Sequence, residues 1–215
     1  MNKSDKIPLQ IVWPTYVLVA LLIMFVVLVF MSWLANAAGM KMHTLLSSEG
    51  LRWLFLNVAD IISSPWLVYL ILGLSCLGAV SRSGLWEAIN RMLHWDKENG
   101  QLAYRQRVAL ISSGLFFFLY LACLFSLVFS PYAALLSVTG TLFPSPFLAG
   151  LFPALVFGGH VTALLYGSLS NRLRNFHETF EIFYWGIQRY AIWIIIYLTG
   201  ALFWETFQYT VGRVL

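Results

Sequence analysis

The sequence predicts an all-α membrane protein with about five transmembrane helices and two amphipathic interfacial helices. Hydrophobic residues make up 60% of its 215 residues, charged residues make up only 10%, and the mean hydropathy is +0.78. A soluble domain usually carries about a quarter charged residues, because its surface must face water. So small a charged fraction indicates that much of this surface faces lipid.

Five apolar runs are candidates for helices that cross a bilayer, which takes about 20 residues. The runs lack the alternating pattern of barrel strands, so helices are the structure they favour. Tryptophan and tyrosine stand near the ends of the first two runs, as they do at membrane interfaces. We treat residues 1–215 as one integral membrane domain with spans at about 11–34, 65–80, 108–129, 146–169 and 185–207.

Two segments between the spans have the periodicity of amphipathic helices. Residues 44–62 place leucine, phenylalanine, valine and isoleucine on one helical face, with an N-cap expected at Ser47 or Ser48 and Glu49 in the first turn. Residues 84–95 repeat the pattern, and the polar stretch 96–107 reads as a linker. Both helices are expected to lie in the membrane interface.

Lysine and arginine are distributed unequally between the two sides of the predicted membrane. Nine lie in segments on the side of the N-terminus and three on the other side. Because cytoplasmic loops are enriched in basic residues, this bias places the N-terminus inside and, after five crossings, the C-terminus outside. The nine are Lys3, Lys6, Arg82, Arg91, Lys97, Arg105, Arg107, Arg172 and Arg174; the three are Lys41, Arg52 and Arg213.

Three ionisable residues within or beside the predicted spans are candidate functional groups. His160 lies in the middle of the fourth span, Glu205 lies near the outer end of the fifth, and Arg189 lies just inside the fifth. Ionisable groups within spans are costly and often functional. His160 could bind a proton or a ligand, or could be a neutral imidazole hydrogen-bonded to a neighbouring helix. Glu205 could instead reach interfacial water.

Small residues recur every fourth position in the fourth span, at Gly159, Ala163 and Gly167. Such a row lets two membrane helices approach closely, so we expect it to pack against another span. The second span, with Gly73, Ser75 and Gly78, is the expected neighbour.

The remaining patterns exclude several classes of function. No nucleophile–histidine–acid spacing, glycine-rich phosphate loop or paired metal-ligand histidines occur, so we predict no enzyme activity, no cofactor and no metal. The basic residues form no aromatic-interleaved stripe, so nucleic acid is not an expected partner. The expected surroundings are the lipid bilayer of a bacterial-type inner (plasma) membrane, crossed several times.

Two stretches resemble the AbgT family of p-aminobenzoyl-glutamate transporters. The first is Leu45-Leu46-Ser47-Ser48-Glu49-Gly50-Leu51-Arg52-Trp53, followed by an apolar helix and Ser83-Gly84-Leu85. The second is Leu142-Phe143-Pro144-Ser145-Pro146-Phe147-Leu148-Ala149-Gly150-Leu151-Phe152-Pro153, followed by Tyr166-Gly167. The two stretches occur in the order in which the family carries them.

The resemblance implies the inner scaffold of that family, the part that forms its dimer. The re-entrant hairpins that carry substrate in the family have no counterpart that we recognise in these residues, so no substrate-binding residue is transferred. Transporters of this kind bind substrate at broken helices near the bilayer midplane. Gly158-Gly159 is the one mid-span candidate for such a break.

Three hypotheses of function follow from the sequence. The first is a dimeric scaffold, or one subunit of a split transporter with a second membrane subunit, for small organic solutes such as aminobenzoyl-glutamate-like compounds. The second is a complete minimal transporter, coupled to protons through His160 and Glu205. The third is a membrane-embedded enzyme or redox subunit.

Overall fold

A computed structural model describes residues 9–40, 42–93, 103–129 and 146–212 of the chain. These residues form helices, and no strand occurs among them. In chain order the helices are α1 (Leu9–Ala37), α2 (Ser48–Ile62), α3 (Pro65–Ser83), α4 (Leu85–Leu93), α5 (Tyr104–Phe129), α6 (Pro146–Leu169), α7 (Phe176–Arg189) and α8 (Ala191–Thr210).

Five of these helices are long and apolar enough to cross a membrane, which confirms the predicted fold class. They are α1, α3, α5, α6 and α8, with qualifying segments at Trp13–Ala37, Pro65–Ser83, Tyr104–Leu127, Phe147–Leu169 and Ala191–Thr210. The second span ends later than predicted and contains Arg82, and the third begins earlier than predicted and contains Arg105 and Arg107. All three arginines were expected in loops, so the prediction was wrong for them.

The fifth span differs from its predicted limits because the helix is interrupted at Tyr190. Residues 185–189, assigned to the span from sequence, belong instead to the separate helix α7. Tyr190 has φ −113° and ψ 19° and precedes α8 without a side-chain cap. Gln188 and Arg189 therefore stand at the end of a polar-faced helix, and the apolar helix α8 begins after them. A basic residue is also favoured there by the helix dipole.

The chain divides into two compact units. The first contains the described residues up to Val68 and those from Tyr190 onward, and the second contains Tyr69–Arg189.

In the first unit, α8 packs against α1 and α2. The rings of Trp53 and Tyr209 stack with centroids 4.3 Å apart, which joins α2 to α8. The backbone N–H of His43 donates to the carbonyl of Thr210 at 3.2 Å. The hydroxyls of Ser64 and Tyr197 are hydrogen-bonded at 2.6 Å.

The start of α2 follows from Leu45, Ser47 and Gly50. Ser47 is the N-cap, and its hydroxyl accepts a hydrogen bond from the Gly50 N–H at 3.0 Å. A Cβ added to Gly50 would lie 2.6 Å from the Cα of Leu45. A glycine is thus required here by the close passage of the preceding backbone, and the predicted cap at Ser47 is confirmed.

In the second unit, α5 and α6 form the main helix pair. The Tyr120 hydroxyl donates to the Ala154 carbonyl at 2.9 Å. The corner between α3 and α4 is made by Gly84, whose φ is +79°. One buried cluster at this corner joins α4 and α5 to α6, and its members are Leu85, Ala88, Ala109 and Tyr166.

Candidate functional site

Helices α3, α6 and α7 meet where their side chains are small. Ala79, Ala163 and Ile182, one from each helix, are fully buried in a common cluster. Gly78 of α3 and Gly186 of α7 touch through their backbones, so that a Cβ on either would collide with the other residue. Small residues allow this close approach. Because the hydrophobic effect does not drive helices together within a membrane, their association depends on such close van der Waals packing.

His160 lies in this junction and is only 7% exposed. Its Nε2 is 2.9 Å from the Oγ of Ser75 on α3. Its Nδ1 is 2.9 Å from the carbonyl oxygen of Val156, one turn earlier in α6. The Ser75 hydroxyl also lies 2.6 Å from the carbonyl oxygen of Phe183 on α7, to which it donates. A continuous line of hydrogen bonds thus links α6, α3 and α7 through the imidazole.

The His160 ring also stacks on Phe183. The ring centroids are 5.2 Å apart and the ring planes differ by 10°. An imidazolium in this position would be attracted to the negative face of the aromatic ring. The same residue of α7 therefore contacts His160 through its ring and Ser75 through its carbonyl.

The small-residue row of α6 lies along this junction. A Cβ on Gly159 would lie 2.7 Å from the Sγ of Cys76 on α3. Ala163 belongs to the shared buried cluster, and Gly167 lies under the side chain of Leu173. The row therefore contacts α3 at all three members, with Gly167 against Ser83, and its third member also contacts the connection after α6.

The other two ionisable candidates lie elsewhere. Arg189 is exposed at the end of α7, with its guanidinium carbon 5.6 Å from the centre of the Trp185 ring. Glu205 belongs to α8 in the first unit, is half-buried, and forms no ion pair within the described residues. Neither takes part in the hydrogen bonds around His160.

Two ion pairs lie at the end of the second unit that is predicted to face the cytoplasm. Arg172, after α6, binds Glu87 of α4 through two hydrogen bonds of 2.9 and 3.4 Å. This pairing lowers the pKa of the Glu87 carboxyl and raises the pKa of the Arg172 guanidinium. Arg82 and Glu181 are 3.4 Å apart and join α3 to α7. These pairs connect helix ends.

Sequence reasoning identified His160 but not its partners. Ser75 was selected only as a small residue, although a hydroxyl within a span is itself a signal for a polar contact between helices. The Phe183 carbonyl could not have been found, because α7 was assigned partly to a loop and partly to the fifth span. An Asn175-x-x-Glu178 pattern marks the start of α7 and was overlooked.

The first unit contains a hydrophobic pocket of about 370 Å³ between α1, α8 and the connection after α1. Its lining offers few polar groups, so it suits an apolar chain better than a polar solute. Among the described residues, no three or more His, Cys, Asp or Glu side chains are grouped as metal ligands. The pocket is lined by Leu28, Met31, Ser32, Leu34, Ala35, Ala38, Met40, Met42, Phe207, Thr210 and Val211.

Comparison with protein-family models, with curated proteins and with solved structures gave no match.

Proposed function

We propose that this chain is a scaffold subunit of an AbgT-like transport system. It would act as a homodimer or together with a second membrane subunit that carries the substrate site. The solutes would be small organic anions resembling aminobenzoyl-glutamate. The assignment to a bacterial-type inner membrane and the absence of an enzymatic reaction are part of the same proposal.

One observation carries the proposal: the end of the first AbgT-like stretch contacts the end of the second. Ser83-Gly84-Leu85 and Tyr166-Gly167 are separated by about eighty residues in sequence. Leu85 and Tyr166 share a buried cluster, and a Cβ on Gly167 would lie 3.4 Å from the Cβ of Ser83. Motifs that contact each other have a reason to occur together, and this supports a common scaffold.

The fit of Arg172 at the same corner adds to this support. Its guanidinium lies directly over Gly84, where any Cβ would collide with it, and pairs with Glu87. The glycine of Ser83-Gly84-Leu85 is therefore needed both for its positive φ and for the space above it. The motif builds a helix corner, which is a structural task.

The described helices also support a scaffold more than a carrier. Each of the five spanning helices is continuous, including α6 across Gly158 and Gly159. Solute carriers bind substrate where a helix is broken within the membrane. The polar groups at the junction of α3, α6 and α7 are bonded to one another, which leaves little for a solute to bind.

The test is purification in lipid nanodiscs, with native mass spectrometry of the assembly and identification of co-purifying membrane proteins. We expect either a dimer or a stoichiometric second membrane protein, and uptake of p-aminobenzoyl-glutamate into proteoliposomes only when that protein is present. Strictly monomeric protein without a membrane partner would refute the proposal. Uptake by this chain alone would replace it by the second candidate.

That second candidate, a complete proton-coupled transporter, is favoured by one observation. His160 is an ionisable residue buried within a span, hydrogen-bonded to Ser75 of α3 and stacked on Phe183 of α7, and ionisable residues within spans often serve in proton coupling. Uptake that persisted unchanged in both His160→Gln and Glu205→Gln would remove these residues from such a mechanism.

A further inference from the structure

The hydrogen bonds around His160 form a line with a carbonyl oxygen at each end. The Val156 carbonyl lies 2.9 Å from Nδ1, Nε2 lies 2.9 Å from the Ser75 Oγ, and that Oγ lies 2.6 Å from the Phe183 carbonyl. A carbonyl oxygen only accepts hydrogen bonds. Nδ1 must therefore carry a proton that it donates to the Val156 carbonyl, and the Ser75 hydroxyl must donate its proton to the Phe183 carbonyl.

Counting protons shows which form of the imidazole completes the line. Three hydrogen bonds need three protons, and the Ser75 hydroxyl has one. His160 must then supply two, one on each ring nitrogen, and only the imidazolium carries both. A neutral imidazole carries one proton, so that one of the three bonds is lost.

We propose that His160 is a proton-binding site and that its proton controls the contact between Ser75 and α7. With the imidazolium, Nε2 donates to Ser75, and Ser75 donates to the Phe183 carbonyl. When the proton leaves Nε2, that nitrogen becomes an acceptor and takes the Ser75 hydroxyl proton. Ser75 then has none for Phe183, and two oxygens 2.6 Å apart repel each other. The Ser75 side chain consequently turns away from α7.

The proton is lost from Nε2 and kept on Nδ1 because the two nitrogens face different partners. Nδ1 faces a backbone carbonyl of its own helix, which cannot turn to donate. Loss of that proton would set a nitrogen lone pair against an oxygen lone pair. Nε2 faces a hydroxyl, which can reverse its role by rotation.

Several charged and titratable groups on the neighbouring helices have other partners. Arg82 of α3 pairs with Glu181 of α7, and the Tyr120 hydroxyl of α5 donates to the Ala154 carbonyl. The Cys76 thiol of α3 lies against Gly159, beside His160 in sequence. The other such groups of these helices are Tyr69, Tyr104, Arg105, Arg107, Cys123, His177, Glu178, Tyr184 and Arg189.

The inference does not depend on the proposed scaffold role, because it concerns a proton site that either a scaffold or a carrier could contain. Its test is accordingly made without transport. The full chain, labelled with ¹⁵N in its histidine rings, is studied by NMR in lipid nanodiscs between pH 5 and pH 8. The His160 signals are those absent from His160→Gln, the chain having four histidines.

We expect two protonated ring nitrogens for His160 at pH 5. At pH 8 we expect one protonated nitrogen, Nδ1, and one unprotonated nitrogen, Nε2. A ring that keeps one protonated nitrogen over the whole range would overturn the proposal, as would a neutral form protonated on Nε2. This wild-type measurement is decisive even if a variant fails to fold.

A second measurement tests the part played by Ser75. In Ser75→Ala the imidazolium loses the acceptor for Nε2–H, and the neutral imidazole loses the hydroxyl that donates to Nε2. The bond to the charged form is the stronger of the two, so the imidazolium-to-neutral ratio at fixed pH should fall about fivefold. The matched control is Ser126→Ala, which removes a spanning-helix hydroxyl bonded to the Cys123 carbonyl of its own helix. The control should leave the ratio unchanged. Equal ratios in wild type and Ser75→Ala would refute the role of Ser75.

Discussion

At the scale of single residues, the function of a small side chain depends on what lies opposite it. Gly186 is buried and touches the backbone of α3, so that its missing Cβ is what permits contact between the helices. Gly114 of α5 has no atom within 4 Å of the place a Cβ would occupy. Both are helical glycines, yet only at Gly186 would a side chain collide with a neighbouring helix.

This difference predicts opposite effects for the same substitution. Gly186→Ala should destabilise the protein by about 1–3 kcal/mol, because the new methyl group collides with backbone that cannot turn aside. Gly114→Ala should be neutral or stabilising by about 0.5–1 kcal/mol, because alanine is the better helix former. Thermal unfolding of both variants in the same detergent measures the difference. Equal shifts would contradict the close contact of α3 and α7.

The residue-scale predictions from sequence succeeded where the information is local. His160, Gly159, Ala163 and Gly167 stand out because they lie within an apolar run, and the structure brings all four against α3. Ser75 matters because it contacts His160, which is 85 positions away in the chain. Gly186 matters because it contacts Gly78, which is 108 positions away. Single-sequence periodicity contains no such information.

At the scale of helices, short polar-faced elements place charged groups beside the spans. In α7, Glu178 accepts hydrogen bonds from the backbone N–H groups of Arg174 and Asn175, which lowers the pKa of its carboxyl. That arrangement is a capping interaction, with the side chain returning to the N-cap residue. The Asn175-x-x-Glu178 signal for a helix start was therefore present in the sequence. The apolar residues near the end of α7 were nevertheless predicted to be the beginning of the fifth span.

The Glu87–Arg172 pair predicts a pH dependence of stability. Because Arg172 lowers the pKa of Glu87 in the folded protein below its ordinary value of 4.5, the ionised pair stabilises the fold above that value. This contribution is lost as pH falls through the lower, folded-state pKa. Both side chains are about half-exposed, so we expect only about 0.2–1 kcal/mol.

The measurement is the free energy of unfolding of wild type and Glu87→Gln at several pH values between 3 and 7. The wild type should be the more stable protein at pH 7, and the difference should shrink towards pH 3. Glu49→Gln, a carboxylate in the first turn of α2 without an ion-pair partner among the described residues, is the control. A difference that grows with acidity would contradict the lowered pKa.

At the scale of the whole molecule, the lengths of the apolar runs were enough to predict the number of membrane spans. A run of about 20 apolar residues can cross a bilayer only as a helix, so the count of five required no tertiary information. The division into two units could not be predicted, because it depends on which helices contact each other. For the same reason, the small-residue spacing predicted that α6 packs closely but did not reveal α7 as a participant.

The orientation of the spans in the membrane is the remaining whole-molecule prediction. Nine basic residues against three favour the N-terminus inside and, with an odd number of crossings, the C-terminus outside. A reporter that fluoresces only in the cytoplasm should be dark after Leu215 and bright after Gly100, whereas a phosphatase active only outside should show the reverse. A fluorescent C-terminal fusion would refute the orientation.

A charge-exchange variant then tests whether the basic residues cause that orientation. Arg105 and Arg107 lie in the first turn of the third span, and Arg172 and Arg174 follow the fourth, all on the predicted inner side. Replacing Arg105 and Arg107 with Gln lowers the bias from nine against three to seven against three, which should leave the orientation intact. Replacing all four and adding two lysines beside Arg52 gives five against five, and the C-terminal reporters should then show both orientations. An unaltered pattern would mean that the apolar spans, and not the loop charges, determine the orientation.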